Sequence, residues 1–198
     1  MANSNIATGL TPRRHRNGAP FVGPLRKYYV PASDATALFI GDPVIIAGTG
    51  DDRGVPAVTR ASVGGRITGV VVGIANDPAV PASNDMMELG YRAASTEGYV
   101  LVCDDPTVLY EIQEDSDTST LAKTSIGLNA DIIIAAGSTY TRRSGVMLDS
   151  STAATTATLA LRIVELEQRP DNEIGTTAKW LVAINLPTET GAAGSTGV

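Results

Sequence analysis

Short β-branched runs, broken by glycine, proline and aspartate, constrain this chain more than any other feature. Ile67–Ala75 is the strongest, with Ile67, Thr68, Val70, Val71, Val72 and Ile74 close together. It is short for a helix and rich in side chains that suit a pleated surface. Gly64 and Gly65 precede it, and 76–85, rich in Asn, Asp, Pro and Ser, reads as a loop. The same pattern recurs at Leu25–Val30, Pro43–Ala47, Val55–Arg60, Tyr99–Cys103, Asp131–Ala135, Leu159–Glu167 and Trp180–Leu186. Gly48–Gly54 reads as a hairpin loop between two of these runs. Val108–Gln113 alternates Val, Tyr and Ile against Leu, Glu and Gln, which predicts a strand with two unlike faces.

About eight to ten strands at this spacing predict an all-β fold, an antiparallel β-sandwich (jelly roll included) or a barrel. Two stretches are less decided. Residues 114–125 read as a loop or one short helix, and Thr152–Leu161 has helix-forming alanines, but its threonines favour strand. Apolar residues make up 43% of the 198, enough for a buried core, while aromatics are only 5%. Residues 1–24 contain Pro12, Pro20, Pro24 and three glycines without hydrophobic periodicity, so they read as an extended N-terminal arm. A β-rich body over 25–190 and a small, flexible tail over 191–198 complete the expected organisation.

Charge divides the chain. Residues 1–30 hold Arg13, Arg14, Arg16, Arg26 and Lys27 and no acid, giving +5. The total is −6, so the remainder carries −11. A basic arm on an acidic body suits an acidic or polar protein surface, and those five cations are the predicted partner-binding anchors. Nucleic acid is a poorer partner for so acidic a body.

The residues that usually carry chemistry are sparse. His15 stands among arginines, and Cys103 lies in an apolar run that reads as a buried strand. One histidine and one cysteine do not make a usual tetrahedral zinc site. The acids from Asp104 to Asp117 raise calcium, yet they lack the spacing of a calcium loop and read better as a solvated acidic edge. Paired carboxylates also raise a glycosidase, for which the aromatic content is thin. Phosphate-loop, dinucleotide and nucleophile-elbow patterns do not occur. The expectation is a non-enzymatic protein without metal or cofactor. No apolar run is long enough for a transmembrane helix, Met1–Leu10 does not read as a secretory signal, and one cysteine is compatible with a reducing compartment.

Several strings resemble the structural cement, or decoration, proteins of tailed bacteriophage capsids. They are Tyr29–Val44, Tyr91–Thr96, Asp104–Asp115, Asp149–Ala157 and Gln168–Gly175, and the resemblance runs through most of 17–186. It implies a virion protein, made in the bacterial host cytoplasm, that binds the outside of the major capsid protein shell and reinforces it. It also suggests self-association as a dimer or trimer, because linked weak contacts gain avidity. The alternative is a receptor- or carbohydrate-binding head-fibre module, against which the few aromatics count.

Overall fold

The computed structural model describes residues 3–75, 90–117, 119–188 and 194–197. The loop expected over 76–85 lies outside them. The described residues form twelve strands: β1 Thr11–His15, β2 Arg26–Val30, β3 Pro43–Gly50, β4 Pro56–Arg60, β5 Gly69–Ala75, β6 Gly98–Cys103, β7 Val108–Gln113, β8 Asn129–Ala130, β9 Ile132–Ile133, β10 Met147–Leu148, β11 Leu161–Leu166 and β12 Lys179–Ile184. Two short 3-10 turns, Lys123–Ser125 and Ser150–Thr152, are the only helical pieces among the described residues. The chain is all-β.

The strands make two bodies that pack together. β2-β4-β3-β5-β6 close into a barrel, antiparallel except for the β2–β4 pair. β1-β7-β12-β11-β8 form an antiparallel sheet, and β9 and β10 pair beside it. The alternation of side chains explains the arrangement. Tyr28 and Val30 of β2 and Val100 and Val102 of β6 point into the barrel core. Tyr110 and Ile112 of β7, Leu161 and Ile163 of β11, and Trp180 and Val182 of β12 fill the larger core against the sheet. β5 serves both: Val70 joins the larger core and Val71 the barrel. A strand buried on both faces reads as a continuous apolar run, which is why it dominates the sequence.

The segment 153–160 is neither helix nor strand, and β11 begins only at Leu161. Its carbonyls are used by side chains instead: Asn129 Nδ2 donates to Thr156 O at 3.0 Å, and Asn185 Nδ2 to Ala157 O and Leu159 O. Residues 114–117 and 119–125 are irregular apart from one 3-10 turn, and Glu114 organises them. Its carboxylate accepts from Leu121 N at 3.0 Å, Trp180 Nε1 at 3.3 Å and Ser116 Oγ at 2.9 Å. Cys103 is fully buried, beneath the Tyr110 hydroxyl, and burial pushes its thiol pKa up.

At both ends of the chain the described residues are tied to the body. Leu10 is a core residue, and β1 pairs antiparallel with β7, so the N-terminal segment is built into the sheet. It was unreadable because only five residues form the strand, and Pro12 and two arginines hide any alternation. At the other end, the described part of the tail, 194–197, is bound to the body. Ser195 N donates to Asn185 Oδ1 at 3.0 Å, Asn129 Nδ2 donates to Ser195 O at 2.7 Å, and Gly197 N donates to Thr155 O. A Cβ on Gly194 would stand 2.2 Å from Ala157 O, so this approach requires glycine.

If the N-terminal segment belongs to the core, Leu10→Ala costs about 2–5 kcal/mol, the range for a buried leucine. Val22→Ala, at a side chain 84% exposed, changes stability by less than about 0.5 kcal/mol. Urea unfolding of both variants checks this, and equal midpoints would contradict it.

Burial raises the pKa of both Glu114 and Asp42 above their ordinary values of 4.5 and 3.8, against the hydrogen bonds each accepts. Because the folded-state values are raised, the stabilising contribution is complete below the ordinary pKa and is lost as pH climbs through the folded one. Glu114→Gln therefore flattens the decline in stability as pH rises above about 4.5, the ordinary glutamate value. Urea midpoints at several pH values, wild type against variant, measure the difference.

Candidate protein-binding surface

β1 pairs Thr11 with Glu111 and Arg14 with Leu109, and the register slips between Pro12 and Arg14. Arg13 is the extra residue of this bulge. A bulge re-aims its side chain, and here the Arg13 guanidinium reaches Glu111 Oε2 through Nε at 2.9 Å and Nη2 at 2.6 Å. Glu111 sits on the face of β7 opposite the core residues Tyr110 and Ile112, as the alternation of Val108–Gln113 predicts. It is nevertheless only 4% exposed, because arginine side chains close over it. Arg169, from the loop before β12, approaches Glu111 Oε1 at 3.4 Å and grips Asp171 with Nε and Nη2. That grip, with Lys179 nearby, holds the Asp171 carboxyl below its ordinary pKa.

The five cations expected to anchor a partner are therefore engaged to different degrees within the chain. Arg13 pairs with Glu111, Arg14 with Glu165, and Arg26 with Asp104 at 3.1 Å. Lys27 lies 5.2 Å from the centroid of the Tyr99 ring, a cation–π contact. Arg16 is exposed and has no ion pair among the described residues. The structure brings Arg13 and Arg14 to one side of the sheet edge, while Arg26 and Lys27 run along the barrel. His15 Nδ1 lies 3.1 Å from Thr107 Oγ1 and 3.4 Å from Asp105 Oδ2.

A further cationic site includes residues the sequence did not single out. Arg13, Arg143, Arg169 and Lys179 line a pocket of about 290 Å³ whose acidic wall is Glu111. Arg143 comes from a tight turn over 138–143. Ser138 N donates to Arg143 O at 2.9 Å, Arg142 N to Ser138 O at 2.7 Å, and Thr141 N to Ser138 Oγ at 3.2 Å. Beside it, Gly137 lies so close under Phe39 that a Cβ would stand 2.3 Å from the ring. Phe39 in turn stacks on Tyr91, with centroids 4.9 Å apart and planes within 8°. At the tip, Tyr140 is 94% exposed. The signal available in sequence was the acid-free string Thr139–Arg143, but no alternation ties it to Glu111 or Arg169, which are distant along the chain.

Among the described residues no group of three or more His, Cys, Asp or Glu is placed to hold a metal ion. The arrangement offers charge, hydrogen-bond donors and one exposed aromatic ring, which are the means of protein recognition. Comparison with known families, with curated proteins and with solved structures finds no match for this chain.

Glu111 would be stranded without its arginines. Replacing Arg13 with Ala leaves a buried carboxylate with only the longer Arg169 contact, and stability falls by about 1–3 kcal/mol. The double variant Arg13→Ala with Glu111→Gln recovers part of that loss. Denaturant unfolding of the three chains checks the coupling.

Proposed function

We propose that this chain is a capsid decoration protein that binds the outer surface of a tailed-phage shell and reinforces it through protein contacts. The observation that carries this reading is the set of strings, from Tyr29–Val44 to Gln168–Gly175, that resemble such proteins along most of the chain. Supporting it are a doubly cored β-body, a basic edge formed by Arg13, Arg14 and Arg16, and a rigid turn that holds out Tyr140. Reinforcement needs a stiff body with broad contact surface, repeated many times over, rather than a reactive centre. Self-association as a dimer or trimer would multiply weak contacts at each shell site.

The partner is the major capsid protein. Exposed ion pairs contribute about 0.2–1 kcal/mol each, so the cationic edge steers and orients the chain while apolar and hydrogen-bonded contacts supply most of the affinity. The segment carrying the edge is part of the sheet, so deleting it would unfold the body and confound a binding test. Charge reversal at the exposed Arg16 is the cleaner probe.

The deciding experiment measures this chain in purified particles. A decoration protein is present at a copy number near that of the shell subunit, and it rebinds saturably to shells from which it is missing. Absence from purified particles, or presence at only a few copies, would overturn the reading. In the rebinding assay Arg16→Glu lowers affinity by about two- to fivefold at low salt and less at high salt.

A further inference from the structure

We infer that the pocket between Arg13, Arg143, Arg169 and Lys179 receives the carboxylate side chains of an acidic protein segment, with Tyr140 packing on the flank of that segment. The inference goes beyond the shell-binding reading, because it needs only an acidic partner segment and no shell.

The charge count is the first argument. Four cations line the pocket and one carboxylate, Glu111, forms its acidic wall. Adding Asp171, which Arg169 holds at the rim, still leaves the site at +2. Both Glu111 oxygens are already engaged, Oε2 by Arg13 and Oε1 by Arg169. Arg143 and Lys179 have no carboxylate within ion-pair distance among the described residues. Arg143, and Lys179, which feels Asp171 only at longer range, stand beside a nearly buried wall and attract an anion, and the fork of a guanidinium matches a carboxylate through two parallel hydrogen bonds.

Preorganisation is the second. The pocket is assembled by β1, β7, the start of β12, the 168–178 loop and the 138–143 turn. Two of its cations, Arg13 and Arg169, are held by Glu111 before any partner arrives, and the backbone at Arg143 is fixed by Ser138 and by a bridge to Ile40. The ordering left to oppose binding is that of the Arg143 and Lys179 side chains.

Tyr140 selects the kind of partner. It stands on the same turn as Arg143 and is almost wholly in solvent. A small inorganic anion would fill the pocket and leave Tyr140 unused. An extended nucleic acid would meet the acidic remainder of the chain, −11 beyond residue 30. An acidic protein segment uses both, with its carboxylates in the pocket and its backbone or an apolar side chain on the tyrosine ring. Tyrosine and arginine are also the residues that most often dominate protein interfaces.

The test uses the full chain and a short fluorescein-labelled peptide of alternating Glu and Ser, followed by fluorescence anisotropy at low ionic strength. Saturable binding is expected to weaken by about two- to fivefold for each of Arg143→Ala, Lys179→Ala and Tyr140→Ala. Glu111→Gln removes the competing charge and tightens binding by a similar factor, an outcome that misfolding cannot imitate. Lys123→Ala, on the exposed 3-10 turn, leaves it unchanged. No saturable binding by the wild type, equal affinity in all the pocket variants, or weaker binding by Glu111→Gln would each overturn the inference. So would inorganic phosphate displacing the peptide at equal concentration, which would make the pocket a site for a free oxyanion.

Discussion

The barrel and the sheet depend on one crossing, where the N-terminal segment passes over the turn Ile40–Asp42. Leu10 N donates to Gly41 O at 2.9 Å, and Gly41 N donates to Val71 O of the barrel at 2.8 Å. A Cβ on Gly9 would lie 2.4 Å from Gly41 O, and one on Gly41 would lie 2.2 Å from Thr8 O. Both positions also have positive φ, so two glycines meet where no other residue fits. Asp42 completes the junction from beneath. Its buried carboxylate accepts from Phe39 N at 2.8 Å and from Ser144 Oγ at 2.5 Å. The N-terminal segment, the barrel and the turn that carries Arg143 are thereby fixed to one another. Leu10 then closes the larger core beyond the crossing.

A second constraint is the satisfaction of buried charge. Arg92 is fully buried, and no carboxylate among the described residues hydrogen-bonds it. It donates to three carbonyls, Thr96 O at 2.6 Å, Thr36 O at 2.7 Å and Pro31 O at 2.6 Å, and so ties three loop segments at one end of the barrel. Burial lowers its pKa, with the charge of Asp34 acting against that. Glu114 plays the complementary role in the sheet, as an acceptor for the backbone of 121 and the indole of Trp180. In both places a buried polar side chain does the work of a missing strand, satisfying backbone groups that irregular loops cannot pair among themselves.

Much of the sheet layout was legible because alternation and turn residues are local signals. Val108–Gln113 shows both its span and its two faces, and Tyr99–Cys103 and Trp180–Leu186 come within two residues of the observed strands. Three things were hidden. Thr11–His15 has too little apolar character to register, since the sheet edge recruits it through backbone hydrogen bonds and the Arg13–Glu111 pair. The Ala- and Thr-rich 153–160 stays irregular because Asn129 and Asn185 take its carbonyls, a contact no window of neighbouring residues contains. The cationic pocket was invisible because Arg13, Glu111, Arg143 and Arg169 are scattered along the chain and meet only through strand order. Charge counted by segment located one arginine of the four cations and missed the others.

The pairing of β1 with β7 gives the N-terminal segment a directional mechanical character. Hydrogen bonds between antiparallel strands lie across the strand axis. A pull along β1 therefore loads the bonds from Thr11 to His15 in shear and all together, and the Arg13–Glu111 and Arg14–Glu165 pairs share that load. A pull away from the sheet peels the same bonds one after another from a free edge. Joined to a surface that stretches in its own plane, the segment resists as a unit. Lifted outward, it comes away like a zip, until the crossing of Gly9 over Gly41 takes the strain.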